Sequence, residues 1–202
     1  MLAEFRQAEI LAAARRVFSK RGYEAATLDE IAAAAGLAKG TLYLYFDNKE
    51  AIFWEAVRER LLGLRRRARE VMAQAPDVPA RLRAAIAVRC ELMRTDAEFM
   101  RIYLTEFGHL CAHPTRFRKN FRELYLEMAH DLAAVVEQGM REGALRPGPP
   151  LETALMLALM VRDVFTSRFL GLFEEQSDPE QFIFDLFWRG VRNHAAPAAG
   201  GS

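Results

Sequence analysis

Cysteine is scarce in this chain: Cys90 and Cys111 are the whole supply in 202 residues, too few for a disulfide scaffold and in keeping with a reducing compartment. Histidine is also sparse. His109, His113, His130 and His194 are all there are, and none stands at a recognisable spacing from a nucleophile and an orienting carboxylate. A Gly-x-Ser-x-Gly elbow, a glycine-rich phosphate loop and a paired-cysteine motif are missing, so no catalytic residue, metal site or cofactor site is assigned. Long apolar runs are missing too. The uncharged stretch Thr153 to Val161 is bounded by Glu152 and Arg162, far short of the roughly 20 residues that span a bilayer. The N-terminus carries Glu4 and Glu9 and no apolar stretch before a small-residue cleavage site, so no signal peptide is read. Neither sign of charge dominates, with 28 Lys and Arg against 27 Asp and Glu, so any pull on a polyanion must come from a local surface. With 12 Gly and 8 Pro the chain is neither collagen-like nor of low complexity. What is present is a 51% hydrophobic composition, which excludes disorder and fills a sizeable core in one or two domains. The expectation is a soluble cytoplasmic protein that is not an enzyme.

Helical periodicity dominates the pattern. Ile10, Ala14, Val17 and Phe18 share one face of a helix over Glu4 to Arg21, and Gly22 suits the left-handed residue just past its end. Thr27 with Glu30 three residues on makes a capping box that opens a helix from Leu28 to Ala35, stopped by Gly36. A second short helix fits Lys39 to Phe46, with Leu42 and Phe46 on its inner face. Asp47 and Glu50 repeat the cap spacing and start a long helix reaching roughly Gln74, its inward stripe Ile52, Phe53, Ala56, Val57, Leu61, Leu64 and Val71. Further helices are placed over Ala80–Arg94, Ala97–Ala112, Thr115–Glu142, Leu151–Phe173 and Pro179–His194. No alternating strand pattern is found and the chain is expected to be all-α. The Ala, Pro, Gly and Ser tail from Ala195 to Ser202 is expected to be frayed.

Two short helices hinged by Gly36 and backed by longer ones have the proportions of a helix-turn-helix, whose second helix enters the DNA major groove. Anchoring by Leu42 and Phe46 turns Lys39, Thr41, Tyr43 and Tyr45 largely outward. Lys39 suits guanine O6 or N7, Thr41 a thymine methyl or phosphate, and the tyrosine hydroxyls a phosphate. Gly40 carries no side chain and lets backbone approach the duplex. Thr27 and Lys49, at helix starts, would grip the DNA backbone.

The pattern Ile10, Ala13-Ala14, Val17-Phe18, Gly22-Tyr23, Thr27, Ile31-Ala32, Ala35-Gly36-Leu37, Gly40-Thr41-Leu42-Tyr43, Tyr45-Phe46, Lys49-Glu50 closely resembles the DNA-binding domain of the TetR/AcrR transcriptional regulators. The resemblance covers about the first quarter of the chain. It implies an all-helical homodimeric repressor whose N-terminal helix-turn-helix domain binds a palindromic operator and whose larger C-terminal domain binds a small molecule that releases the DNA. The DNA contacts it implies are Thr27, Lys39, Gly40, Thr41, Tyr43, Tyr45 and Lys49. Ala38 departs from the Ser or Thr frequent there, which removes a cap or phosphate donor. The domains are expected at 1–50 and 51–194. Residues 1–72 carry a net charge of +3 and the rest −2, an asymmetry in the expected direction but modest.

Beyond the first long helix the resemblance is weak and the residues carry the reading. The last two helices are apolar on more than one face, which suggests a subunit interface that includes Met156, Phe165, Phe169, Phe182, Phe187 and Trp188. In the family the last two helices pair across a two-fold axis as a four-helix bundle. An effector cavity would be walled by Met93, Phe99, Met100, Tyr103, Phe107, Phe121, Tyr125, Met128 and Met160, a set suited to a lipophilic or acyl-type molecule. Arg101, Arg118, Arg122, Arg162 and Arg168 could meet an anionic head group. Glu106, His109 and His113 recur at i, i+3 and i+7, but Pro114 should end the helix there and Cys111 lies well around it, so an ordinary helix end is preferred to a metal site. The competing reading is a helical small-molecule carrier or enzyme that has kept an inactive DNA-binding head. The outward set Lys39, Thr41, Tyr43 and Tyr45 argues against it.

Overall fold

The computed structural model describes residues 2–112, 116–172 and 178–193, with backbone alone at residues 2, 106–112 and 116–118. The described residues form nine helices: α1 (Leu2–Ala25), α2 (Leu28–Ala34), α3 (Lys39–Leu42), α4 (Lys49–Gln74), α5 (Val78–Thr95), α6 (Ala97–Ala112), α7 (Arg116–Arg141), α8 (Pro150–Phe169) and α9 (Pro179–Val191). No strand occurs among them, and one isolated bridge pairs Leu145 with Arg192. None of these helices is long and apolar enough to cross a membrane. The chain divides into two compact units, Met1–Gly63 with Thr95–Arg122, and Leu64–Arg94 with Glu123–Ser202. The first division point falls within α4, and α6 belongs to the first unit.

In the first unit Ile10, Ala14 and Phe18 of α1 are buried, as are Ile52, Phe53, Ala56, Val57 and Leu61 of α4. Phe18, Tyr23 and Phe53 form an aromatic cluster, with Phe18 edge-on to Phe53 at 5.2 Å and Tyr23 to Phe53 at 4.9 Å. Arg15, although buried, is balanced by Glu59 at 2.6 Å, which ties α1 to α4. The first stretch of α1 stops at Gly22, as its place in the sequence implies. That residue takes φ 74°, ψ 166°, a positive-φ kink, and helical structure resumes to Ala25. The cap of α4 is Asn48 rather than Asp47: Asn48 Oδ1 accepts from the Ala51 amide at 2.8 Å.

In the second unit a single core joins α5, α7, α8 and α9 through Leu82, Ile86, Val136, Leu157, Val161 and Ile183. Met72, not Val71, carries the stripe of α4 into it. Helix α8 ends four residues before the expected Phe173. Gly171, at φ 70°, lets the Leu172 amide reach Ser167 O (2.8 Å) and its own amide reach Arg168 O (2.9 Å), a Schellman stop. Asp178 caps α9, its Oδ1 accepting from Glu180 N at 2.9 Å, with Pro179 in the first turn as expected. That helix ends at Val191 because Arg192 is extended (ψ 148°), freeing Val191 O to accept from Arg146 N at 2.9 Å.

Candidate functional site

The segment Thr27 to Lys49 folds as its residues dictate. Thr27 Oγ1 accepts from the Glu30 amide at 3.2 Å, and Glu30 Oε2 accepts from the Thr27 amide at 3.0 Å. Those bonds to Thr27, helped by Arg21, hold the Glu30 carboxyl below its ordinary pKa. Helix α2 buries Ile31 and Ala32 and is capped by Ala35, after which Gly36 turns the chain with a φ of 68° that is cheap for glycine alone. Leu37 N then returns to Ala32 O at 2.9 Å, closing the turn.

The second helix is shorter than the expected Lys39 to Phe46. Regular helix covers Lys39 to Leu42, and the chain continues as a tight turn in which Tyr45 N and Phe46 N both reach Leu42 O, at 3.0 and 2.9 Å. Ala38 occupies its N-cap position without a side-chain bond, as the departure at that position implies. The anchoring is as read: Leu42 is 1% and Phe46 6% exposed. Lys39, Gly40 and Tyr43 face solvent, and Thr41 and Tyr45 are half-buried. A Cβ added at Gly40 would meet nothing within 4 Å, so nothing inside the chain requires glycine there. Leu44, absent from the expected contact set, is 80% exposed. It was hidden inside the apolar run Leu42 to Phe46, although two residues from Leu42 means about 200° of rotation and hence the opposite side.

Two cations of the segment are held internally. Lys39 Nζ meets Asp29 Oδ2 at 2.9 Å, a pair that raises the lysine pKa and stays open to solvent. Lys49 Nζ donates to the carbonyls of Tyr23 (2.8 Å), Glu24 (3.1 Å) and Ala26 (2.9 Å), which matches the three donors of an ammonium. With Thr27 in its capping box, three of the seven expected DNA contacts are engaged in bonds within the free chain.

The expected effector wall divides between the units. In the first, Phe99, Met100, Tyr103 and Phe121 are buried, with Phe99 stacked on Tyr103 at 5.7 Å and Tyr103 tilted to Phe121 at 6.2 Å. In the second, Met128 is buried, and Met93, Tyr125 and Met160 are half-buried. Phe107 and Arg118 lie outside the described side chains, as do Glu106, His109 and Cys111; His113 and the tail from residue 195 lie outside the described residues altogether. Among the described residues no group of three or more His, Cys, Asp or Glu could hold a metal ion. A shallow pocket of the second unit, about 20 Å³, is floored by Leu64, Ala68, Met72, Ala85, Met128 and Leu132 and rimmed by Arg65, Arg69, Arg89 and Asp131.

Of the six residues expected at a subunit interface, Met156, Phe169 and Phe182 are exposed, and Phe165 and Trp188 are half-buried. Phe187 is corrected: it is 5% exposed and belongs to the core beside Ile183 and Phe184. Leu186, one position earlier on α9, is exposed instead.

Residues 10–56 match the bacterial regulatory proteins of the tetR family, and residues 75–166 the tetracyclin repressor-like C-terminal domain. The HTH-type transcriptional repressor KstR2 of Rhodococcus jostii is 32% identical over 154 residues, which cover 74% of this chain and 72% of that one. Two solved structures share the fold. The transcriptional regulator FadR from Bacillus subtilis in complex with stearoyl-CoA has a TM-score of 0.80 at 22% identity, over 92% of this chain and 99% of that one. AibR in complex with isovaleryl coenzyme A and operator DNA has a TM-score of 0.70 at 22% identity, over 93% and 98%. With its helix-turn-helix in place and both halves matched, the chain belongs to the TetR family of ligand-responsive transcriptional regulators.

Proposed function

We propose that the chain is a repressor that binds a palindromic operator as a homodimer and is released by an acyl thioester. The observation that carries the DNA reading is the segment Lys39 to Tyr45. It is fastened from beneath by Leu42 and Phe46 and presents Lys39, Gly40, Tyr43 and Leu44 to solvent. Lys39 would exchange Asp29 for a base edge or phosphate, Gly40 would admit the backbone closely, and Thr41, Tyr43 and Tyr45 would supply hydroxyls. Thr27 and Lys49 set the position of this segment through the bonds they already make. A helix-turn-helix dimer places its two reading helices about one DNA turn apart, roughly 34–36 Å or a multiple of it.

Dimer formation is supported by the large apolar side chains that α8 and α9 leave exposed, Met156, Phe169, Phe182 and Leu186. The effector class is supported by the acyl-CoA ligands named for the two structures of like fold and by the Met and aromatic residues of the middle helices. An effector acts only through its difference in affinity for the two states of the dimer, and a tenfold loss of operator affinity needs about 1.4 kcal/mol.

The test is selection of binding sites from random duplexes, followed by electrophoretic mobility shift with the wild type and Tyr43→Ala and by light scattering of both. The expected result is a palindromic site bound by a dimer, with Tyr43→Ala dimeric but unable to bind. A monomeric wild type, or Tyr43→Ala binding unchanged, overturns the proposal.

A further inference from the structure

The pocket of the second unit carries a charge arrangement that the DNA reading leaves unused. Three arginines rim it, two from α4 and one from α5. Arg65 is committed: its Nε donates to Asp131 Oδ2 at 2.6 Å, and its Nη1 pairs with Glu127. Arg69 and Arg89 have no ion pair or hydrogen bond among the described residues. Arg65 and Arg69 stand at i and i+4 on one helix face, and since Asp131 and Glu127 already balance Arg65, the charge left to meet a ligand at this pocket is that of Arg69 and Arg89. Arg89 is half-buried and Arg69 exposed, so Arg89, set against the apolar lining, is the less screened of the two.

A guanidinium offers a planar fork of donors that matches the oxygens of a phosphoryl group, and two unopposed forks at one depression can hold one such group from two sides. The pocket volume, about 20 Å³, is that of a single ordered water, so neither an acyl chain nor a nucleoside enters it. What fits is a compact anion seated at the rim. We propose that Arg69 and Arg89 seat a phosphoryl group of coenzyme A and thereby select the thioester over the free acid, while the Arg65, Asp131 and Glu127 bridge fixes the wall of the seat. This rests on the acyl-thioester reading above and adds to it the chemical handle and the residues that grasp it.

The experiment uses the full chain, wild type and the double variant Arg69→Gln with Arg89→Gln, and titrates each by calorimetry with octanoyl-CoA and palmitoyl-CoA, the matching free acids, free coenzyme A and inorganic phosphate. Folding of the variant is checked by thermal unfolding, and each single variant is carried alongside. The expected result is a thioester bound at least tenfold tighter than its acid by the wild type, a gap below threefold in the double variant, and unchanged affinity for the acid. Salt should weaken thioester binding to the wild type more steeply than to the variant. Equal thioester affinity in both proteins overturns the seat and leaves the effector reading standing. A wild type that binds neither thioester overturns both. Inorganic phosphate competing as well as coenzyme A at equal concentration overturns the assignment to coenzyme A.

Discussion

Lys49 Nζ sits 2.8 Å from the main-chain carbonyl oxygen of Tyr23 and 4.6 Å from the centre of the same residue's ring. The positive-φ kink at Gly22 lies just before the carbonyls of Tyr23, Glu24 and Ala26, and one ammonium satisfies all three from the first residue of α4. Replacing it by an apolar chain of similar length, Lys49→Met, should therefore lower unfolding stability by about 1–2 kcal/mol, measured by denaturant titration. The salt dependence of operator binding separates this role from a phosphate contact. A lost phosphate contact lowers the slope of log K against log salt by about 1 per subunit, whereas a lost internal staple leaves the slope as in the wild type. An unchanged slope with reduced stability is expected.

Gly40 makes the opposite case. Its position is helical and a methyl group there would touch nothing in the chain, so Gly40→Ala should keep or raise thermal stability, by up to about 1 kcal/mol from helix propensity. Operator affinity should fall at least tenfold, because the added methyl stands where the duplex backbone approaches. Retained affinity in a mobility-shift titration would show that the duplex stays clear of this residue.

Gly139 is confined from within. A Cβ on it would lie 2.8 Å from Leu145 Cδ1 and 2.9 Å from Val78 Cγ1, both of which are fully buried side chains. The helix-propensity gain of Gly139→Ala, about 1 kcal/mol, is opposed by overpacking of about 1–3 kcal/mol, so a net loss of stability is expected in chemical denaturation.

Cys90 is fully buried, and desolvation, with Glu180 and Asp178 adding to it, pushes its thiol up to about 12. The folded protein should be inert to thiol-specific reagents at pH 8 at this position, reacting only at the rate of unfolding, in a Cys111→Ser background. The sign of the pH effect follows from the raised value. Below pH about 9 the thiol is neutral in both states and nothing is lost. Between about 9 and 12 the unfolded chain ionises and the folded chain does not, so stability falls as pH rises, and Cys90→Ala should flatten that part of the profile.

What the sequence revealed, and what it hid, has a common physical cause. Leu42 and Phe46 were legible because a buried pair one turn apart leaves an i, i+4 signature, and Thr27 with Glu30 because a capping box is local. The end of α8 was hidden because Phe169, Leu170 and Leu172 prolong the apolar run although Gly171 stops the helix. Phe187 is placed in the expected interface and Leu186, though one of the apolar residues of the same helix, is not, because an all-apolar stretch carries no periodic contrast to tell the two sides apart. The Lys49 contacts were hidden for a different reason. They depend on a kink bringing three carbonyls within reach of a residue more than twenty positions away, which no local pattern records.

The pairing of Lys39 with Asp29 shapes how this surface treats any polyanion it encounters. If Lys39 exchanges Asp29 for DNA as proposed, part of the gain is offset by the carboxylate it gives up, which would weaken loose, sequence-blind association. Under the same proposal, discrimination would fall to neighbours such as Gly40 and Tyr43, whose fit would reward a correct groove and whose misfit would give nothing back.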